Sequence, residues 1–425
     1  MSQSDSVDSQ HFEVAVIGAG IAGSMSAILC SRVGLRTILL ERHRFPRDKV
    51  CGCCINGRAM QILTRAGLES GLRQLQPTTT SSLAIQYRGR RLNVAMPAGF
   101  AVSRRSMDQW LVEEATQSGC KFLDEVTASV QPLSSEPDER EIQLRFTHPR
   151  DFRPDQGQHR SGIDDSSAGI APGVIQPSST SSTNASLFAK VVLVCDGLGH
   201  PSLHLLPSFS ADPQAGSRIG LGATFPRTAA DDWIQRGEVL MAVASTGYAG
   251  VVEIENNQWN LAAAVDPTSL NRSNTPLDVL ENIFRLAGVP IPQELANATI
   301  KGTIPLTRSA RQIADHRLLL LGDSTGYVEP FTGEGMAWAL TAAAAVIPTV
   351  VSAVRDGWSD EIANQWQTKF KDIVGSQKKI CRFLSVSLRH PWLLPPILTA
   401  CQFFPSLTQQ LVSRINRVPE ALDFI

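Results

Sequence analysis

The sequence predicts an α/β fold in three parts: a nucleotide-binding domain on a buried parallel sheet, an antiparallel β-sheet domain inserted into it, and a helical C-terminal segment. Three observations carry that expectation. Residues 12–41, FEVAVIGAGIAGSMSAILCSRVGLRTILLE, read as strand, tight turn, helix and strand. Two later apolar runs stop at Asp196-Gly197 and at Gly322-Asp323, strand ends of the kind where ligands of doubly wound sheets collect. Residues 218–264 alternate between strands and turn residues, which suits antiparallel pairing.

The first stretch has the form of a dinucleotide site. Gly18, Gly20 and Gly23 fit G-x-G-x-x-G between a strand at 12–17 and a helix whose apolar face continues over 27–33. Gly18 permits the sharp turn, Gly20 lets a pyrophosphate approach the backbone, and Gly23 lets helix and strand pack closely. The helix N-terminus then offers free N–H groups and a positive dipole end to phosphates. Glu41 follows the next strand, 37–40, where a carboxylate accepts ribose hydroxyls.

A basic loop comes next, Arg42-His-Arg-Phe-Pro-Arg-Asp-Lys49-Val-Cys51-Gly52-Cys53-Cys54, before a helix expected over 56–66. Cys51 and Cys54 formally make C-x-x-C. A zinc site needs a second ligand pair, and a thioredoxin-type disulfide needs its own fold context, so no metal is expected. The loop reads instead as a glycine-containing bend beside the nucleotide, or as one reactive thiol near the cofactor. Residues 83–87 and 91–96 form a hairpin around Arg88-Gly89-Arg90. Ser103 caps a helix running to about residue 118, with Arg104 in its first turn. A cation is disfavoured there by the dipole, and an anionic ligand would reverse the penalty; a solvated arginine is the bland alternative.

Strands expected at 122–130 and 141–146 precede residues 147–186. That segment is rich in Ser, Asp, Gly, Pro and Gln, and reads as a disordered insertion. In the inserted domain, strands are expected at 239–244, 249–254 and 259–265, with a tight turn at Asn256-Asn257. A helix at 277–286 and a return strand at 299–304 follow. Met241, Tyr248 and Trp259 are candidate pocket linings, with plain core as the alternative. The last dense motif, Gly322-Asp323 and then Pro330-Phe-Thr-Gly333-Glu334-Gly335, opens an uncharged helix over 335–354. Its length would span a bilayer. Pro348, the small residues and a start pinned beside a ligand loop argue for a buried core helix.

The partition is then 1–11, disordered tail; 12–82, 98–146, 187–205 and 306–355, nucleotide-binding domain; 147–186, disordered insertion; 83–97 and 206–305, substrate domain; 356–425, helical cap. With 39 basic and 40 acidic residues, a net charge of −1 makes no electrostatic case for nucleic acid. Eight cysteines scattered apart from 51–54, and no secretory signal before the first strand, suggest a reducing, cytoplasmic setting. The cap begins with a basic helix and continues into a proline-broken apolar run at 391–404. It reads as a layer over the substrate domain, with peripheral membrane contact as the alternative.

In this order and at these strand ends, the three motifs, together with Arg104-x-x-Met107-Asp108, resemble the para-hydroxybenzoate hydroxylase-like superfamily of FAD-dependent oxidoreductases. The resemblance covers residues 12–354 apart from the insertion and implies a Rossmann-type FAD-binding domain. It places Gly18, Gly20 and Gly23 at the FAD pyrophosphate, Glu41 at the ribose, and Arg104 near the phosphates or ribityl chain. Arg42 and Lys49 of the basic loop join the cofactor-binding candidates. Asp196 and Gly197 belong to a motif tied to FAD and reduced nicotinamide. Gly322 and Asp323 would meet the ribityl chain, and Pro330, Gly333, Glu334 and Gly335 the flavin pyrimidine edge, where a helix start stabilises charge. Lys49-Val-Cys51-Gly52 also looks like the Lys-x-Cys-Gly-Gly segment of the geranylgeranyl reductase-like branch, with Cys53 where a second glycine is usual.

The resemblance, with one dinucleotide fingerprint and an antiparallel substrate sheet, implies an FAD enzyme visited transiently by NAD(P)H. The first expectation is a monooxygenase acting through a flavin C4a-hydroperoxide on a hydrophobic aromatic or polyketide-type molecule, the protein orienting substrate and excluding water. The alternatives are a reductase of a carbon–carbon double bond, supported by Lys49 and Cys51 with Cys51 as the catalytic candidate, and an electron-transfer flavoprotein.

Overall fold

The computed structural model describes residues 10–133, 138–148, 184–329, 331, 333–389 and 393–419. Most of the expected N-terminal tail, most of the expected insertion, and Pro330 lie outside the described residues.

Strand β1 (Gln10–Ile17) leads through the glycine turn into α1 (Ile21–Arg32) and then β2 (Thr37–Leu40), whose four residues are all buried. After the basic loop, α2 (Gly57–Arg65) starts where the Asn56 side chain accepts the Ala59 N–H at 3.0 Å. The hairpin of β3 (Thr78–Tyr87) and β4 (Arg90–Ala101) turns at Arg88 and Gly89, both at positive φ. Helix α3 (Arg104–Gln117) begins as expected, with Ser103 accepting the Ser106 N–H. Strands β5 (Lys121–Leu123), β6 (Val126–Val130), β7 (Arg140–Phe146) and β8 (Asn184–Val194) follow.

The inserted unit contributes β9 (Ile219–Pro226), β10 (Glu238–Ala244), β11 (Gly247–Ile254), β12 (Gln258–Val265), α4 (Pro276–Ala287) and β13 (Lys301–Pro305). The chain then returns through β14 (Leu318–Leu320) into α5 (Gly335–Arg355). It ends in α6 (Asp360–Phe370), α7 (Ser376–Arg389), α8 (Leu394–Phe403) and α9 (Pro405–Asn416).

In the first sheet β14, β8, β1, β2 and β5 lie side by side and parallel, with Val14 opposite both Thr37 and Val191. Their near-continuous apolar runs are what two-sided burial requires. The strand expected at 122–130 is in fact two. Glu125 sits at φ 57, a left-handed conformation that ends β5, and β6 turns away to pair antiparallel with β7. Helix α5 packs against α1 beside this sheet, and 78% of its most apolar window is buried in protein. It is a core helix.

The second sheet runs β13, β9, β12, β11, β10, β3, β4. It departs from the expected antiparallel pattern at one place, since β10 and β3 are parallel, Val239 opposite Leu83. These two strands arrive on separate passes of the chain, so no hairpin dictates their direction. Asn256 and Asn257, at φ 60 and 54, make the tight turn expected between β11 and β12. Val279, Leu280, Ile283 and Phe284 of α4 cover one face of this sheet. The other face, with Leu83, Met241 and Tyr248, packs with Phe331 and with Leu394 and Leu398 of α8. The C-terminal segment therefore does cover the substrate sheet.

Candidate active site

The glycine turn is built by exclusion of side chains. Gly18 has φ +99, and a Cβ there would lie 2.5 Å from the Cys195 carbonyl oxygen. At Gly23 a Cβ would lie 1.9 Å from the Gly18 carbonyl oxygen. Gly20 differs: nothing approaches its Cβ position closer than the Arg104 guanidinium at 3.6 Å and that of Arg47 at 3.8 Å. Two glycines serve packing, and the third keeps an open face beneath two cations.

Those cations are held rigidly. Asp108, fully buried, accepts two hydrogen bonds from Arg104 at 2.8 Å and one from Arg47 at 2.9 Å. Arg47 also pairs with Glu41 at 3.3 Å. The Glu41 carboxylate accepts the Ala19 N–H at 3.1 Å and the His43 N–H at 3.0 Å. Burial alone would raise its pKa, but the His43 imidazole 3.0 Å away, the Arg47 charge and these two hydrogen bonds outweigh burial and bring it down to about 2. Glu41 is thus an ionised acceptor, as expected.

The basic loop is clamped between the domains. Asp48 pairs with Lys301 of β13 at 2.7 Å, the Cys51 carbonyl accepts from Asn260 of β12 at 2.9 Å, and Lys49 reaches Asp323 at 3.4 Å. Val50 fills the space that a side chain at Gly222 would need. Cys51, half-buried, lies beside Arg104. A hydrogen bond from the Cys53 thiol, opposed by burial and helped by the Arg104 charge, lowers the Cys51 thiol to about 5. Burial and the charge of Cys51 push the neighbouring Cys54 thiol up to about 12.

The site candidates do not all converge. Gly20, Lys49, Cys51, Arg104, Gly197, Gly322, Asp323, Gly333 and Gly335 line one cavity of about 410 Å³. Arg42 does not: it is exposed, with no side-chain hydrogen bond or ion pair among the described residues, and Arg47 is the loop arginine that pairs with Glu41. Asp196 lies behind the wall, its carboxylate accepting from the Ser202 N–H at 2.9 Å and from the Ser324 hydroxyl at 3.2 Å. It ties the end of β8 to the Gly322 loop. Glu334 is buried near Arg58 and Cys381. Trp259 is core, donating to Asp231 at 3.1 Å, whereas Met241 and Tyr248 do line the cavity.

Two features escaped the sequence reading. Lys378 of α7 donates to the Gly326 carbonyl at 2.7 Å, locking the cap to the Gly322 loop; burial lowers its pKa to about 8. Arg218, buried just before β9, pairs with Glu329 at 3.4 Å and Asp266 at 3.0 Å and lies over the Tyr248 ring. Neither belongs to a local pattern.

These residues suit FAD. The open face of Gly20 at a helix start, with two guanidiniums above it, is a cradle for a pyrophosphate. Glu41, at the end of β2, holds the position where the resemblance expects a ribose acceptor. Gly333 and Gly335 line the cavity where α5 begins, facing the substrate sheet. The Glu41→Gln variant should bind FAD about 10-fold more weakly in a fluorescence titration, consistent with the loss of a charged hydrogen bond of about 1.5–3 kcal/mol. Since the folded pKa lies below the ordinary carboxylate value, Glu41 contributes stability above about pH 4.5 and loses it as pH falls towards 2. Wild-type Tm should therefore fall more steeply than that of Glu41→Gln across that window.

Comparisons with known proteins agree with the geometry. Residues 11–151 match the family model of the FAD binding domain. The chain is 22% identical to a menaquinone reductase of Mycobacterium tuberculosis, over 93% of this chain and 87% of that protein. It superposes on p-nitrophenol 4-monooxygenase PnpA of Pseudomonas putida with a TM-score of 0.71 at 12% identity, covering 96% of this chain and 98% of the other. PqsL of Pseudomonas aeruginosa, a probable FAD-dependent monooxygenase, gives 0.68 at 17% identity, covering 92% and 100%. The matched FAD binding domain makes this chain an FAD-dependent oxidoreductase, and its two-sheet architecture is the fold of these FAD-dependent monooxygenases.

Proposed function

We propose that this protein is a reductase of a carbon–carbon double bond in a lipophilic, isoprenoid-type substrate, with NAD(P)H as the transient electron donor. The observation that carries the reading is Cys51: a half-buried sulfur with a lowered pKa in the wall between the glycine cradle and the apolar sheet. Saturating a double bond requires a hydride at one carbon and a proton at the other. Bound FAD, when reduced, supplies the hydride. The proton comes from solvent by way of the Cys51 sulfur, which takes it up, hands it to the second carbon and ends as the thiolate it was before. Arg104 holds that sulfur in place, and Leu83, Met96, Val239, Met241 and Phe331 keep water from the substrate end of the cavity. The menaquinone reductase relative, matched along nearly its whole length, supports a long-chained substrate.

The second reading is hydroxylation of a hydrophobic aromatic, favoured by the likeness to PnpA and PqsL. Oxygen separates the two. A lipophilic polyprenyl quinone or polyprenyl lipid incubated anaerobically with reduced protein should gain two hydrogens by mass spectrometry. Turnover that needs oxygen and adds an oxygen atom would replace this reading with the second.

The substrate class fits the C-terminal surface. From 373 to 419 the sequence has six Lys or Arg and no Asp or Glu, and four of the six, Lys379, Arg382, Arg414 and Arg417, are exposed. Leu394 and Leu398 face the substrate sheet, while Phe383, Phe403 and Phe404 are exposed by 70, 76 and 59%. Basic and aromatic exposure together suit an anionic lipid surface, from which a lipophilic substrate would be drawn. The protein should sediment with vesicles of phosphatidylglycerol and not with neutral phosphatidylcholine. The double variant Phe403→Ser, Phe404→Ser should lose that binding while keeping its Tm. Equal binding by the variant would remove the membrane contact.

A further inference from the structure

We propose that Cys51 and Cys53 form a reversible disulfide with hydrogen peroxide as the oxidant, so that the wall of the substrate cavity carries a peroxide-responsive dithiol. Cys53 occupies a backbone position, φ 58, that glycine adopts freely and other residues adopt only under strain. The backbone therefore gives no reason for a cysteine there, and strain kept at a site points to a side chain in use. Its side chain is directed at its neighbour: the Cys53 thiol donates to the Cys51 carbonyl oxygen, 3.7 Å from Sγ, two residues back along the loop.

The two sulfurs differ in the way such chemistry requires. Cys51 lines the cavity and is half-buried, so a small oxidant meets it first, and its low pKa keeps it as thiolate at neutral pH. Cys53 is 1% exposed and stays protonated. Cys54 is turned elsewhere, its Sγ 3.2 Å from the Gly52 carbonyl oxygen and its Cβ facing Gly333. The Cys51 sulfur attacks a peroxide oxygen, the S–O bond forms, the O–O bond breaks and hydroxide leaves. Cys53 then loses its proton and attacks the Cys51 sulfur, displacing hydroxide from the sulfenic acid. The sum is two thiols and one peroxide giving a disulfide and two waters.

Treating the FAD-loaded full-length protein with a few equivalents of peroxide, alkylating the free thiols and mapping peptides by mass spectrometry tests the pairing. The peptide holding Cys51 and Cys53 should become lighter by two hydrogens, in wild type and in Cys54→Ser alike, and dithiothreitol should restore it. In Cys53→Ser, dimedone should instead trap a sulfenic acid at Cys51. A disulfide that survives in Cys53→Ser and vanishes in Cys54→Ser, or no oxidation at Cys51 in any variant, overturns the proposal. Retained flavin absorbance in each variant reports an intact fold. Loss of double-bond reduction in the oxidised protein rests on the reductase reading above; the peptide masses do not.

Discussion

Gly23→Ala is expected to cost the protein its nucleotide domain, whereas Gly20→Ala should leave a folded protein that no longer binds FAD. A methyl group at Gly23 would sit 1.9 Å from the Gly18 carbonyl oxygen and 3.2 Å from the Cys195 side chain. Neither atom can yield cheaply. The first is backbone in a turn already at φ +99, and Cys195 is packed at the end of β8. Helix α1 would have to move off β1, and overpacking of this kind typically costs about 1–3 kcal/mol, more when backbone must shift. Thermal unfolding should show a Tm lowered by roughly 10 °C or more, or protein recovered only as aggregate. A methyl at Gly20 meets only the flexible ends of Arg104 and Arg47, and the backbone φ there is −84, open to alanine. Its Tm should stay near wild type. Yet the methyl occupies the face a pyrophosphate must approach, and FAD affinity should fall about 100-fold, roughly 2.7 kcal/mol. Wild-type FAD affinity in Gly20→Ala would mean that the cradle is misassigned.

Replacing Cys51 should separate chemistry from binding. In Cys51→Ala, FAD binding and anaerobic flavin reduction should persist, because the cradle, Glu41 and Arg104 are untouched. Turnover of a double-bond substrate should drop by about 10²–10⁴, the usual range for removing a positioned side chain that relays a proton. The same residue has a signature independent of substrate. Alkylation by iodoacetamide should reach half its maximal rate near pH 5 at Cys51, where an ordinary thiol needs a pH near 9. In Cys53→Gly the inflection should move upward, because the hydrogen bond that lowers it most is gone. Full turnover in Cys51→Ala would shift the weight to hydroxylation, for which no such sulfur is needed. An alkylation inflection near 9 would remove the thiolate from both the reductase reading and the dithiol.

Much of the architecture was legible in the chain. The strand–glycine–helix stretch, the strand ends at Asp196 and Gly322, the Asn256-Asn257 turn, and α5 as a core helix all rest on local features: period, turn geometry and length. Where local signals failed, the reason was also physical. A single left-handed residue, Glu125, split one expected strand, and the parallel pairing of β10 with β3 joins passes of the chain that no turn connects.

The sequence by itself determined the fold class, the cradle glycines, Glu41 and the candidate thiol, because each is encoded within a few residues of its neighbours. Only tertiary structure decided which loop arginine meets Glu41, that Lys49 lies beside Asp323 across 274 residues, and that Asp196 braces the wall rather than lining it. The same holds for Lys378 locking the cap to the Gly322 loop, and for the Cys53 thiol rather than that of Cys54 pointing back to Cys51. A side chain's direction depends on backbone dihedrals and on what packs against it from distant segments. Those constraints exist only once the two sheets have closed around the cavity.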